Sequence, residues 1–132
     1  MLTIYTDGAC FGNPGPMGIG AIVLKDGKEI CKISEYIGEG TNNIAEYTAL
    51  IKALEFAVGT LEKMVHIRSD SELLIKQMKG DYRVRDKKLK VLYGRVLLLC
   101  EGLHVTFEHI PREKNELADE LSKKAIEKHL KN

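Results

Sequence analysis

Leu2-Thr3-Ile4-Tyr5-Thr6 is a short apolar stretch closed by the carboxylate of Asp7, and Met64-Val65-His66-Ile67-Arg68-Ser69, closed by Asp70, repeats the arrangement further along. Short stretches of this kind, rich in apolar and β-branched residues, read as strands. Strands are expected at about 19–25 and 29–37, joined through Asp26-Gly27, a pair suited to a tight primed turn because glycine tolerates positive φ. Gly12-Asn13-Pro14-Gly15-Pro16 reads as a turn-rich loop. From Ile44 the apolar residues Tyr47, Leu50, Ile51, Leu54, Ala57 and Val58 recur at helical spacing until Gly59. A short helix from Ser71 to about Met78, a helix over 87–101, a strand over 103–109 and a helix over 115–129 follow. The last helix is expected to bury Leu117, Ala118, Leu121, Ala125 and Ile126. The order βββαβααβα implies an α/β fold. Its five-stranded mixed sheet has strands one, four and five parallel beside an antiparallel hairpin, with helices on both faces.

At 132 residues the chain is expected to form a single domain over 1–132. Its 44% hydrophobic and 30% charged residues are those of an ordinary globular protein. A net charge of +1 provides no global attraction to nucleic acid, so an anionic partner would have to be held locally. Cys10, Cys31 and Cys100 are an odd number without metal-ligand spacing, as expected of reduced thiols in a cytoplasm. No signal peptide or long apolar run is visible, and no membrane association is expected.

Four acids stand at element edges: Asp7, Glu46, Asp70 and Asp119. Each has a local alternative. Asp7-Gly8 is a turn pair, Asp70 precedes a helix it could cap, Asn43 with Glu46 has capping-box spacing, and Asp119 suits the positive end of its helix. Taken together these alternatives weaken. Two parallel strands ending in Asp bring like charges close, which costs stability unless a cation neutralises them. Carboxylates at the carboxyl ends of strands also occupy the usual place of a functional site in an α/β sheet.

Ile4-Tyr5-Thr6-Asp7-Gly8-Ala9-Cys10 with Gly12-Asn13-Pro14-Gly15, then Thr41-Asn42-Asn43-x-x-Glu46, Ser69-Asp70-Ser71 and Asn115-x-x-Ala118-Asp119 resemble, in order, the four motifs of type 1 ribonuclease H. The resemblance runs from residue 2 to about 126. It implies a ribonuclease H-like fold and hydrolysis of the RNA strand of RNA–DNA hybrids. Two Mg²⁺ ions, for which Mn²⁺ can substitute, would be held by Asp7, Glu46, Asp70 and Asp119. Asp7 would bridge the ions, Glu46 and Asp70 would complete the nucleophile side, and Asp119 the other. Cys10, Asn13, Asn42 and Asn43 match positions lining the minor groove, where the RNA 2′-hydroxyl must be read, and Thr41 matches one that seats a DNA-strand phosphate. Asn13 is equally well read as a turn former beside Pro14.

Three departures accompany the resemblance. Glu72 stands where many relatives carry Gln. The segment 79–90 is short where some relatives carry a long basic protrusion, although Arg83, Arg85, Lys87, Lys88 and Lys90 remain as phosphate contacts or as a solvated helix start. The loop before Asp119 poses a choice. Ungapped counting puts His109 at the position of a mobile catalytic His, whereas strand pairing puts Arg112 in the loop, where a guanidinium would grip phosphate rather than act as a base. The gapped reading, and so Arg112, is preferred. His66 and His104 read as structural or surface residues. A monomer with no attached hybrid-binding domain is expected. Cleavage of double-stranded RNA, action on branched DNA and a non-catalytic duplex-binding module are the alternatives, the last opposed by four intact acids.

Overall fold

A computed structural model describes residues 1–131. Its sheet runs in the order β3-β2-β1-β4-β5, with β1 over Leu2–Cys10, β2 over Gly15–Lys25, β3 over Lys28–Gly40, β4 over Met64–Ser69 and β5 over His104–His109. β1, β4 and β5 are parallel, while β2 is antiparallel to both β1 and β3. Asp26 and Gly27 both have positive φ, as the expected primed turn requires.

The register of β1 against β4 places the site. Their pairing runs from Leu2–Val65 to Thr6–Ser69 and ends there, so Asp7 and Asp70 are each the residue just beyond the last parallel pair. Contrary to the sequence expectation, Asp7 does not close its strand. β1 continues to Cys10 because residues 7–10 keep their antiparallel partners on β2, ending at Cys10–Met17. Asp7 therefore sits on a braced strand at the point where β4 departs.

Helices cover both faces. α1 (Asn42–Val58) packs Tyr47, Leu50 and Leu54 against Leu2, Ile4, Ala21 and Val23, and α3 (Lys87–Cys100) adds Leu89 and Val96 to the same core. α4 (Glu116–Lys131) lies on the opposite face, across β2. It settles directly onto Gly18 and Gly20, where a Cβ would collide with the backbone carbonyls of Ser122 and Ala118. This close seat decides which residues α4 buries: Ala118, Ser122, Ala125 and Ile126. Leu117, expected in the core, is instead 60% exposed, because the helix presents its small side chains to the glycines and turns Leu117 outward. Val58, at the end of α1, is likewise exposed. α2 (Glu72–Met78) follows β4, and a 3-10 turn over Arg112–Lys114 joins β5 to α4.

Candidate active site

Each acid arrives on a different element, and each is held by a local interaction. The α1 N-terminus is capped by Thr41, whose Oγ1 accepts from the Ile44 amide at 3.3 Å. Asn43 thus lies inside the helix, and the capping-box alternative for Asn43 and Glu46 does not occur. Glu46 reaches the sheet instead, accepting a hydrogen bond from the Gly8 amide. That contact depends on glycine, since a Cβ at residue 8 would collide with the Ala45–Glu46 backbone. Asp7 accepts from the Ser122 hydroxyl at 2.8 Å. Asp70 does not cap α2. Ser71 does, accepting from the Leu74 amide at 3.2 Å, which leaves the Asp70 carboxylate for the cleft. Buried Asn115 donates to the Thr6 carbonyl at 2.9 Å and lies 3.4 Å from Asp70 Oδ2.

Carboxylate oxygens of Asp7, Glu46 and Asp70 lie within 4.8 Å of one another. Asp119 lines the same cleft of about 200 Å³ but is turned to Lys123, whose ammonium is 3.0 Å away. Arg112 also lines the cleft. His109, the last residue of β5, is exposed, pairs with Ser69 and does not line it. Glu72 faces solvent and pairs with Lys76.

The electrostatics are those of a site short of positive charge. Burial, reinforced by the charges of Asp70 and Asp119 and opposed by the Ser122 hydroxyl, pushes the Asp7 carboxyl up to about 7. Glu46 is raised well above the ordinary carboxylate range, first by burial and then by the Asp7 charge, against the Gly8 amide and Arg112. Oxygen-only donors, buried and mutually repelling, form a set that fits a hard divalent cation. A cation would supply the neutralisation that Arg112 and Lys123 give only at the rim.

The remaining sequence candidates gather beside this cleft. Asn13, Thr41, Asn42 and Asn43 line a groove of about 680 Å³ whose other wall is Asp86, Lys87 and Lys88 at the start of α3. Asn13 serves the turn as well, since its side-chain oxygen accepts from the Asn42 amide at 3.0 Å and docks the loop on α1. Cys10 lines the acid cleft, its thiol 3.2 Å from the Gly40 carbonyl. His66 bonds Glu108 and Thr106 on the sheet, away from the cleft. Sequence reading did not single out Ser122 and Lys123. Their spacing from Asp119, three and four residues along one helix, was the available signal.

A family model described as Reverse transcriptase-like matches residues 5–125. The curated "Ribonuclease HI" of Halobacterium salinarum is 38% identical over 93% of this chain and 63% of its own length. "Ribonuclease H" of Trichodesmium erythraeum is 35% identical over 96% of this chain and 89% of its own. The chain spans only 35% of a third relative, the bifunctional protein Rv2228c of Mycobacterium tuberculosis, at 34% identity. Among solved structures, LC11-RNase H1 in complex with an RNA/DNA hybrid superposes with a TM-score of 0.92 at 44% identity, covering 98% of this chain and 99% of that one. RNase H1 of H. salinarum superposes with a TM-score of 0.92 at 37% identity, covering 96% and 98%. Sheet order and acid cleft together define the ribonuclease H-like class of α/β domains. Within it, the chain belongs to the ribonuclease H family, as a type 1 member of the short form.

Proposed function

We propose that this protein is a metal-dependent endoribonuclease that hydrolyses the RNA strand of RNA–DNA hybrids, leaving 5′-phosphate and 3′-hydroxyl ends. The observation that carries the reading is the meeting of Asp7, Glu46 and Asp70 within 4.8 Å, at the point where β4 leaves β1. These three with Asp119 would hold two divalent cations, Mg²⁺ or Mn²⁺, which when bound supply an activated water and neutralise charge at the leaving oxygen. Asp119 reaches that role by exchanging its Lys123 partner.

The protein's own groups do the rest. Ser122 and Gly8 hold Asp7 and Glu46 in place before substrate arrives, so that little reorganisation accompanies reaction. Arg112 is the cleft cation suited to a bidentate grip on a phosphate oxygen. Thr41 uses its oxygen lone pair on the α1 cap, which leaves the hydroxyl proton to donate to a DNA-strand phosphate. Asn13 keeps its amide nitrogen as a donor, and Asn42 and Asn43 offer side-chain amides that both donate and accept, as reading a 2′-hydroxyl requires.

The test is a cleavage assay with one strand labelled, run on hybrid, duplex RNA and duplex DNA in Mg²⁺ and in excess chelator. The RNA strand of the hybrid should be cut, with metal only. Full activity in chelator, or preference for either homoduplex, would overturn the reading.

A further inference from the structure

The groove beside the acids has two walls built by different parts of the chain. One is the N-terminus of α1, with Asn42 and Asn43, and the other is the N-terminus of α3, with Lys87 and Lys88. The segment 79–86 leads into the second wall and contains no regular structure. Backbone amides of Lys79, Gly80, Asp81 and Tyr82 bond the last carbonyls of α2, so its first half is fixed there, and the stretch from Arg83 to Asp86 is left to side chains.

Gln77, near the end of α2, is 4% exposed and uses both ends of its amide. Its Oε1 accepts from the Tyr47 hydroxyl at 2.6 Å, and its Nε2 donates to the Arg83 carbonyl at 3.1 Å. Tyr47 is 1% exposed, follows Glu46 on α1 and belongs to the core. The amide thus bridges the helix of the first wall and the backbone that leads to the second. Val84 rests against the core from the same segment, but apolar burial is non-directional, whereas the amide bond to the Arg83 carbonyl holds one geometry. Three residues beyond Arg83, Asp86 caps α3 through the Leu89 amide at 3.0 Å, so an error at Arg83 passes directly into Lys87 and Lys88.

We infer that Gln77 is a positioning residue for nucleic-acid binding, tying the basic segment to α1 and so setting the spacing of the two groove walls. The inference rests on the proposed reading of this groove as part of the hybrid-binding surface. Without the amide, residues 83–86 sample other arrangements, and apparent affinity falls to the fraction of molecules in which the walls are correctly spaced. Turnover of bound substrate is untouched, because the acids are held by Gly8, Ser122 and Asn115 instead.

The experiment compares Gln77→Met, the double variant Tyr47→Phe with Gln77→Leu, and the double variant Lys87→Ala with Lys88→Ala, by steady-state hybrid cleavage and thermal unfolding. Gln77→Met keeps the shape and loses both hydrogen bonds. KM should rise roughly three- to tenfold, the effect of about one hydrogen bond, with kcat within about twofold. A purely structural Gln77 would lower stability and the active fraction, which reduces kcat and leaves KM alone. The Tyr47–Gln77 double variant separates the two roles. Replacing both partners by apolar groups restores much of the stability that the single change removes, yet it cannot restore the tether to Arg83. Its KM should stay raised, and a wild-type KM would overturn the inference even if Gln77→Met fails to fold. If the Lys87–Lys88 variant leaves KM unchanged, the groove reading itself fails. If that variant raises KM while the Gln77 variants do not, only the role of Gln77 is lost.

Discussion

Asp7 is the residue on which the site turns, and its environment makes opposite demands with and without a cation. Metal-free, it is buried beside Glu46 and Asp70. Because the folded Asp7 carboxyl titrates near 7 and an unperturbed one at 3.8, the folded state binds more protons between those values. The contribution of Asp7 to stability in chelator should therefore be full below about pH 4 and fall as pH rises toward 7, with Glu46 adding in the same direction. Thermal unfolding across that range checks the sign, and a midpoint that rose with pH would refute the clustering. Asp70→Asn should stabilise the chelated protein by about 3 kcal/mol where the neighbouring acids are ionised, the repulsion between charges within 4.8 Å at an effective dielectric near 20. It should also abolish hybrid cleavage. Since Ser71, not Asp70, caps α2, no capping loss offsets the gain. Mg²⁺ should reverse the order, because the wild type gains binding energy that the variant largely lacks. At the loop before α4, Arg112→Ala should lower turnover more than His109→Ala, since only Arg112 lines the acid cleft. Measuring kcat for both at saturating hybrid decides it, and a more impaired His109 variant would reinstate the ungapped alignment.

Between the residue and the molecule, the critical element is α4, which brings Asn115, Asp119, Ser122 and Lys123 to the cleft. Its depth is set from across the sheet by Gly18 and Gly20 on β2. Gly20→Ala puts a methyl group into the Ala118 carbonyl, a backbone obstacle that no rotamer change relieves. The helix must lift, at a cost of roughly 1–3 kcal/mol for overpacking, and the Ser122–Asp7 bond should be strained with it. The expected result is a lower denaturation midpoint with a disproportionate loss of kcat. A variant with lower stability but wild-type kcat would show that α4 depth does not matter to the acids. The sequence made α4 visible as a helix, but not its rotation. An apolar pattern that includes Leu117 points toward a core, whereas the two glycines on a distant strand select the Ala118–Ser122 face. The same limit hid the true length of β1: the sequence suggests an end at Asp7, and only pairing with β2 carries the strand to Cys10. Asp7 and Asp70 were legible because two strands repeat one pattern and lead into Asp, and Glu46 and Asp119 through the motifs that carry the resemblance. Gly8 and Asn115 stand inside the motif runs and Ser122 one turn after Asp119, but the bonds by which they hold the acids join separate elements and follow only from the fold.

Across the whole molecule the charges nearly cancel, at +1 overall, so long-range attraction cannot gather a polyanion. The acid cleft repels phosphate until it is neutralised. What remains is local. Lys87 and Lys88 wall the groove, Arg83 and Arg85 stand on the segment leading to it, and Arg112 sits at the acid cleft. If about four of these release counterions on binding, log affinity for hybrid should fall against log salt with a slope near −3 to −4, taking the B-DNA coefficient. Lys87→Ala with Lys88→Ala should make that slope shallower by about 2 while leaving the metal-free acid cluster, and its pH-dependent stability, as it is. The two measurements are independent because the basic wall and the acid cleft are built on different elements, α3 on one side and β1, β4, α1 and α4 on the other. A salt response that is flat in the wild type would mean that hybrid is held by neutral minor-groove contacts alone. A slope unchanged by the double substitution would place the phosphate grip elsewhere on the surface.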